Sequence, residues 1–228
     1  VQQQVDLAAD YGFDGIVVCV NRTGNQSEFY TSGYKNKENK IPADPNALFK
    51  IASVSKLYNA VAVAKLVRDG KLDLDQTLAH YLPELKDKIA YADQITLSQM
   101  VMHRSGIPNF TDTYMYWANP KETPEEQLAL VLDQPANFKP GEDYEYSNTN
   151  YLLLGRIMNR VLGYEKFQYI KEEILNPLEL KHTFGSIKDV NSEDVMSGYY
   201  VGYDADLKTD NVGSILATAE DLSKFIRA

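Results

Sequence analysis

The chain has 228 residues, enough for one large domain or two small ones with a sizeable buried core. Its composition, 44% hydrophobic and 24% charged, is that of an ordinary globular protein, and a formal net charge of −9 without any basic run argues against a nucleic-acid partner. The most apolar stretch, Ala60 to Val67, contains Lys65 and is too short to span a bilayer, and the single Cys19 excludes an internal disulfide.

The beginning, Val1-Gln2-Gln3-Gln4, carries no recognisable leader and reads as the middle of something already trimmed. Residues 15–20 are β-branched and predict a buried strand. Asn21 to Gln26 has turn chemistry, and Glu28 to Tyr34 alternates as the second strand of a hairpin; a polar loop follows to Pro45. From Ser53 to Arg68 the period becomes helical, with Val54, Leu57, Val61, Ala64 and Val67 in register. Ala60, Ala62, Val63 and Leu66 fill the other faces, so this helix is expected to be buried nearly all round and to end at Asp69-Gly70.

Thr96 to Gln99 and Thr123 to Glu126 are capping boxes, the second with Pro124 at the first helical position. Ser147 or Asn148 is expected to cap an apolar helix closed by Gly163, and another helix to run from Glu165 to Leu175. Gly198 to Tyr203 is a weak strand candidate. Thr218 starts a last helix with Leu222, Phe225 and Ile226 on its inner face. One hairpin is too little sheet to stand alone, and the chain stops within that last helix; the reading is a domain lacking its final strands, through a boundary or because a second polypeptide supplies them.

A serine hydroxyl needs an adjacent base to act as a nucleophile. Ser-x-x-Lys offers one and occurs twice, at Ser32 to Lys35 and at Ser53 to Lys56. On a strand, positions three apart face opposite ways, whereas on a helix they share a face, which selects Ser53 and Lys56. The helix start favours an alkoxide and, with desolvation, a neutral amine. The plainer reading of the motif alone is a serine N-cap with a surface lysine; a lysine opening an otherwise apolar helix weighs toward chemistry. Ser55 reads only as a small polar neighbour. Tyr146-Ser147-Asn148 stands directly before the Tyr151 helix, where a loop end can fix a phenol and an amide. A tyrosine is a poor base unless a cation stabilises its phenolate, and Lys56 would be such a cation. Helix capping also explains Ser147 and Asn148, and Tyr144 rivals Tyr146.

In this order the two motifs resemble the serine β-lactamase and penicillin-binding protein superfamily, specifically the class C β-lactamase, D-alanyl-D-alanine carboxypeptidase and esterase branch. Phe49 to Lys56, Gly70 to Asp75, Tyr81 to Glu84, Ile95 to Leu97, Met102 to Pro108, Pro140-Gly141, Leu154-Gly155, Asn176 to Leu178 and Gly213 to Leu222 are each similar to segments of that branch. Arg104 stands where threonine is usual, read as a peripheral change. The third motif, Lys-Thr-Gly or His-x-Gly, is absent and would be expected beyond Ala228.

The resemblance implies an α+β, β-lactamase/transpeptidase-like fold: an antiparallel sheet flanked by helices plus an all-helical region, lacking C-terminal strands and the last helix. It divides the chain into residues 1–70, the first strands and nucleophile helix; 71–210, a mainly helical region with Tyr-x-Asn; and 211–228, an incomplete return. It implies an acyl-enzyme on Ser53, with Tyr146, Lys56 or both taking the proton, and Asn148 binding a substrate amide or holding Lys56. Amide or ester substrates (a β-lactam, D-alanyl peptide or ester) are expected, with no cofactor or metal and a periplasmic or secreted location. The alternative is a non-catalytic penicillin-binding, sensor or structural homologue. His103 matches a buried structural histidine of the branch, and His80 and His182 are expected at the surface.

Overall fold

The computed structural model describes residues 1–121, 123–198 and 215–228. In chain order these form α1 (Gln2–Asp10), β1 (Gly15–Val20), β2 (Glu28–Asn36), β3 (Ile41–Pro42), β4 (Phe49–Lys50), α2 (Ser55–Arg68), α3 (Leu78–Tyr81), α4 (Leu97–Val101) and α5 (Pro124–Ala129). There follow α6 (Asn148–Leu162), α7 (Lys166–Ile170), β5 (Thr183–Phe184), β6 (Leu216–Ala217) and α8 (Ala219–Arg227). The weak strand expected at Gly198 to Tyr203 lies, apart from its first residue, outside the described residues. The chain divides into two compact units, residues Val1–Ser55 with Glu172–Ala228, and residues Lys56–Lys171.

In the first unit the expected hairpin forms, with Gly15 opposite Gly33 and Val20 opposite Glu28. Both glycines are needed: a Cβ on Gly15 would strike the Tyr34 carbonyl, and one on Gly33, at φ +73°, would strike that of Asp14. β1 is half-buried rather than buried, as is its central neighbour β2 in the described sheet β1-β2-β3. The third strand sits in what the sequence suggested was loop. A second small sheet, in the order β4-β6-β5, was also not foreseen; its strands are two residues long, too short for any alternation to register.

α8 is capped by Thr218, whose hydroxyl accepts the Asp221 N–H. Of the three apolar residues expected inside, Phe225 is buried but Ile226 is 65% exposed. The buried place is taken by Asp221, whose carboxylate accepts the His182 N–H at 2.7 Å and the Thr183 hydroxyl at 2.9 Å, fastening α8 to β5. A buried carboxylate is tolerable only with such donors.

The second unit is helical. Tyr58, Ala62, Val63 and Leu66 of α2 are buried, as are Leu153, Leu154, Ile157 and Met158 of α6. Each large apolar side chain so buried contributes about 1.5–3 kcal/mol. α2 corrects the sequence reading twice. It begins at Ser55, after a 3₁₀ turn over Ala52–Val54, and its Leu57 and Val61 face is exposed rather than covered. Gly70, at φ +67°, follows its end as expected. Both capping boxes form with reciprocal bonds. The expected Glu165–Leu175 helix is α7 continued by a π-helical stretch over Lys171–Leu175, with the Glu165 side chain accepting the Phe167 N–H.

Candidate active site

Ser53 lies in the 3₁₀ turn of the first unit, exposed, directly after Ala52 at φ +45°. A left-handed non-glycine residue is costly and marks a constrained backbone. Ser55 does more than its size suggested: its hydroxyl accepts the Ile215 N–H at 3.1 Å, while the Ile51 N–H donates to the Ile215 carbonyl at 3.0 Å. The serine turn is thereby tied to the chain entering β6.

Lys56, Tyr146 and Asn148 belong to the second unit, and there they meet. The Lys56 Nζ donates to Asn148 Oδ1 at 2.8 Å and stands 4.9 Å from the Tyr146 ring centroid and 5.7 Å from that of Tyr151. Cation–π contacts of this kind contribute about 0.5–2 kcal/mol, more as water is removed. Tyr146, not its rival Tyr144, is the ring beside the ammonium; Tyr144 is 60% exposed and Tyr146 38%.

The amide of Asn148 has only one orientation consistent with its neighbours. Its Nδ2 donates to Asn109 Oδ1 at 3.3 Å and to Thr111 Oγ1 at 3.1 Å, leaving Oδ1 for the lysine. Asn109 also accepts the Asn148 N–H at 3.0 Å. The capping expectation is therefore corrected. Ser147 holds the N-cap position, but its hydroxyl donates to the Pro108 carbonyl, and the helix start is served from the neighbouring loop by Asn109. Thr149 donates to the same carbonyl at 2.7 Å and accepts the Phe110 N–H at 3.2 Å.

His103, buried and at φ +56°, stacks on Tyr146 with centroids 4.5 Å apart and accepts the Ser147 N–H on Nδ1 at 3.1 Å. Burial, reinforced by the Lys56 charge, holds its pKa below the ordinary histidine range. Tyr151, whose hydroxyl donates to the Val101 carbonyl, has its pKa raised by burial and then by Tyr146.

Main-chain bonds run between the segments that carry His103 and Tyr146. Glu145 N–H donates to His103 O at 3.0 Å, Gly141 N–H to Arg104 O at 2.8 Å and Asn137 N–H to Gly106 O at 2.9 Å. Arg104 is not peripheral as expected: its guanidinium donates back to the Gly141 carbonyl at 2.6 Å. Ser105, fully buried, donates to Asn150 Oδ1 at 2.7 Å and accepts the Ile107 N–H.

Sequence reasoning missed Asn109, Thr111, Ser105 and Asn150. The only available signal was polar residues within otherwise buried segments, which periodicity cannot pair. His80 and His182 are exposed, and among the described residues no group of three or more His, Cys, Asp or Glu is placed to hold a metal ion.

The Beta-lactamase family pattern matches residues 1–228. The chain belongs to that family. Among curated relatives, Protein flp of Staphylococcus aureus (strain MW2) is 28% identical over 204 residues, covering 87% of this chain and 41% of its own length. The chain thus spans less than half of that relative. The D-amino acid amidase from Ochrobactrum anthropi SV3, solved with D-phenylalanine, is 28% identical with a TM-score of 0.85, covering 100% of this chain and 69% of its own. A class C beta lactamase is 25% identical with a TM-score of 0.77, covering 97% and 61%. The expected α+β, β-lactamase/transpeptidase-like architecture is therefore the observed one, in a serine hydrolase family that includes amidases and β-lactamases. No helix among the described residues is long and apolar enough to cross a membrane.

Proposed function

We propose that the protein is a serine acyl-transfer hydrolase acting on amide or ester bonds, with Ser53 as nucleophile. The Ser53 oxygen attacks the substrate carbonyl carbon, and its proton passes to Lys56 acting as a neutral amine, or to Tyr146 acting as a phenolate that the Lys56 cation stabilises, or is shared between the two. The same groups return a proton to the departing amine or alcohol, and water then releases the acyl group from Ser53. Asn148 holds the Lys56 side-chain nitrogen in place, and the Ser53 N–H is one donor to the oxyanion.

The observation that carries this reading is the Lys56 nitrogen shared between Asn148 Oδ1 and the Tyr146 ring. Support also comes from the sequence spacing of Ser53 and Lys56, since helical residues three apart share a face. Likeness to a D-amino acid amidase favours an amide of a small amino-acid or peptide substrate, and family membership favours action outside the cytoplasm.

The test is labelling of the full-length protein with a fluorescent penicillin and a fluorophosphonate, read by intact mass and peptide mapping. One adduct on Ser53, lost in Ser53→Ala, is expected. No adduct from either probe on a folded protein would overturn the assignment and leave a non-catalytic homologue.

A further inference from the structure

We propose that His103 is a positioning residue for Tyr146: as a neutral ring it fixes the Ser147 turn through Nδ1 and sets the phenol plane through its face, and protonation releases both. The proposal rests on the serine acyl-transfer reading and adds to it an acid-sensitive control of the proton-handling pair.

The geometry is specific. A ring nitrogen that accepts a hydrogen bond carries no proton, so the 3.1 Å bond from the Ser147 N–H to Nδ1 requires the neutral form, with its proton on Nε2. Ser147 is the residue between the phenol and the amide of the candidate site, so its N–H fixes where Tyr146 departs from the backbone. The same imidazole lies 4.5 Å from the Tyr146 ring at an interplanar angle of 30°. The Lys56 ammonium stands 4.9 Å from that Tyr146 centroid. The phenol ring thus contacts both an imidazole and the lysine nitrogen, and a charge on the imidazole would stand close to the lysine cation.

Among the described residues, the groups around the imidazole are a cation, aromatic rings and a carboxylate already engaged elsewhere. From α2 comes the Lys56 cation; from α6 the Tyr151 ring at 5.3 Å; from the loop the rings of Tyr146 and of Tyr144 at 6.2 Å. Along the chain stand Arg104, on the Gly141 carbonyl, and Glu145, whose carboxylate is taken by Asn137 Nδ2 at 2.5 Å. Burial and the lysine charge oppose protonation, as the downward displacement of the His103 pKa records. When the proton is forced on, Nδ1 becomes a donor facing the Ser147 N–H. Two donors then confront each other, and a second cation meets the lysine.

The backbone at His103 is left-handed, which asparagine and glycine both accept, so His103→Asn and His103→Gly separate the roles without a backbone penalty. An asparagine carbonyl can replace Nδ1 as acceptor and does not titrate; glycine offers neither acceptor nor ring. In the full-length protein, the Ser147 amide resonance followed from pH 8 to pH 4.5 reads the bond directly, and the rate of Ser53 labelling by a fluorescent penicillin reads its consequence. In the native protein the resonance and the labelling rate are expected to move together, with one midpoint below the ordinary value of 6.5. His103→Asn should hold labelling within about tenfold at pH 7.5 and lose the acid limb, whereas His103→Gly should fall by about a hundredfold. Equal losses in the two variants, or a Ser147 resonance indifferent to the His103 titration, would overturn the proposal. Absence of labelling in the native protein strikes at Ser53 chemistry instead, and the amide titration still decides whether His103 holds Ser147.

Discussion

The Lys56 ammonium stands 4.9 Å from the centroid of the Tyr146 ring while donating to Asn148 Oδ1 at 2.8 Å. One nitrogen therefore joins the helix that follows Ser53 to the loop that carries the phenol. Lys56→Arg keeps the charge but cannot give up a proton, and its planar fork does not fit a single carbonyl acceptor in the same way. Both Lys56→Arg and Lys56→Met are expected to slow Ser53 labelling by about 10²–10⁴-fold. Thermal melting should change little for the arginine variant. Labelling within a few-fold of the native rate would remove the lysine from proton transfer.

Asn148→Asp tests the amide orientation. Aspartate keeps an acceptor for Lys56 but loses the donor that serves Asn109 and Thr111, and sets a carboxylate against the Asn109 oxygen. Labelling is expected to fall by about 10–100-fold, the scale of one charge-assisted hydrogen bond, and unfolding should come at lower urea.

Asp221 is buried and accepts from His182 and Thr183. Asp221→Ala leaves both donors unanswered and should cost about 2–5 kcal/mol of stability in equilibrium denaturation, with Asp221→Asn recovering part of it.

A pH effect on stability is expected from Glu84. Its hydrogen bond with Arg160, at 2.6 Å, holds its pKa below the ordinary carboxylate value of 4.5. A carboxyl group depressed in the folded state binds its proton more readily when unfolded. Its contribution is therefore complete above that ordinary value and is lost as pH falls through the folded one. Both side chains are nearly half exposed, so Glu84→Gln should cost at most about 1 kcal/mol at pH 7 and nothing measurable once the carboxyl is protonated.

How far these elements could be read beforehand depended on whether their cause was local. The Gly15–Val20 strand, both capping boxes and the glycine stops at Gly70 and Gly163 follow from residues within a few positions of each other, and all were legible. The two-residue strands of the second sheet were not, because they are too short to show a period and their pairing joins segments distant in the chain, Phe49 with Ala217 and Thr183 with Ala217. Ser53, Lys56, Tyr146 and Asn148 were singled out by motif. Sequence could not say that Asn109 fixes the Asn148 amide, or that Ser105 and Asn150 share a buried bond. Polar pairs of that kind follow no period; they are settled only when the loop and the helix are in place.

The loop bearing the phenol is fastened to the strand-like run beside it through peptide groups: Glu145 to His103, Gly141 to Arg104 and Asn137 to Gly106. Peptide groups are common to nearly every residue. Substitutions at the outward positions of residues 137–145 can therefore accumulate and remodel the surface offered to an incoming molecule while the phenol keeps its address.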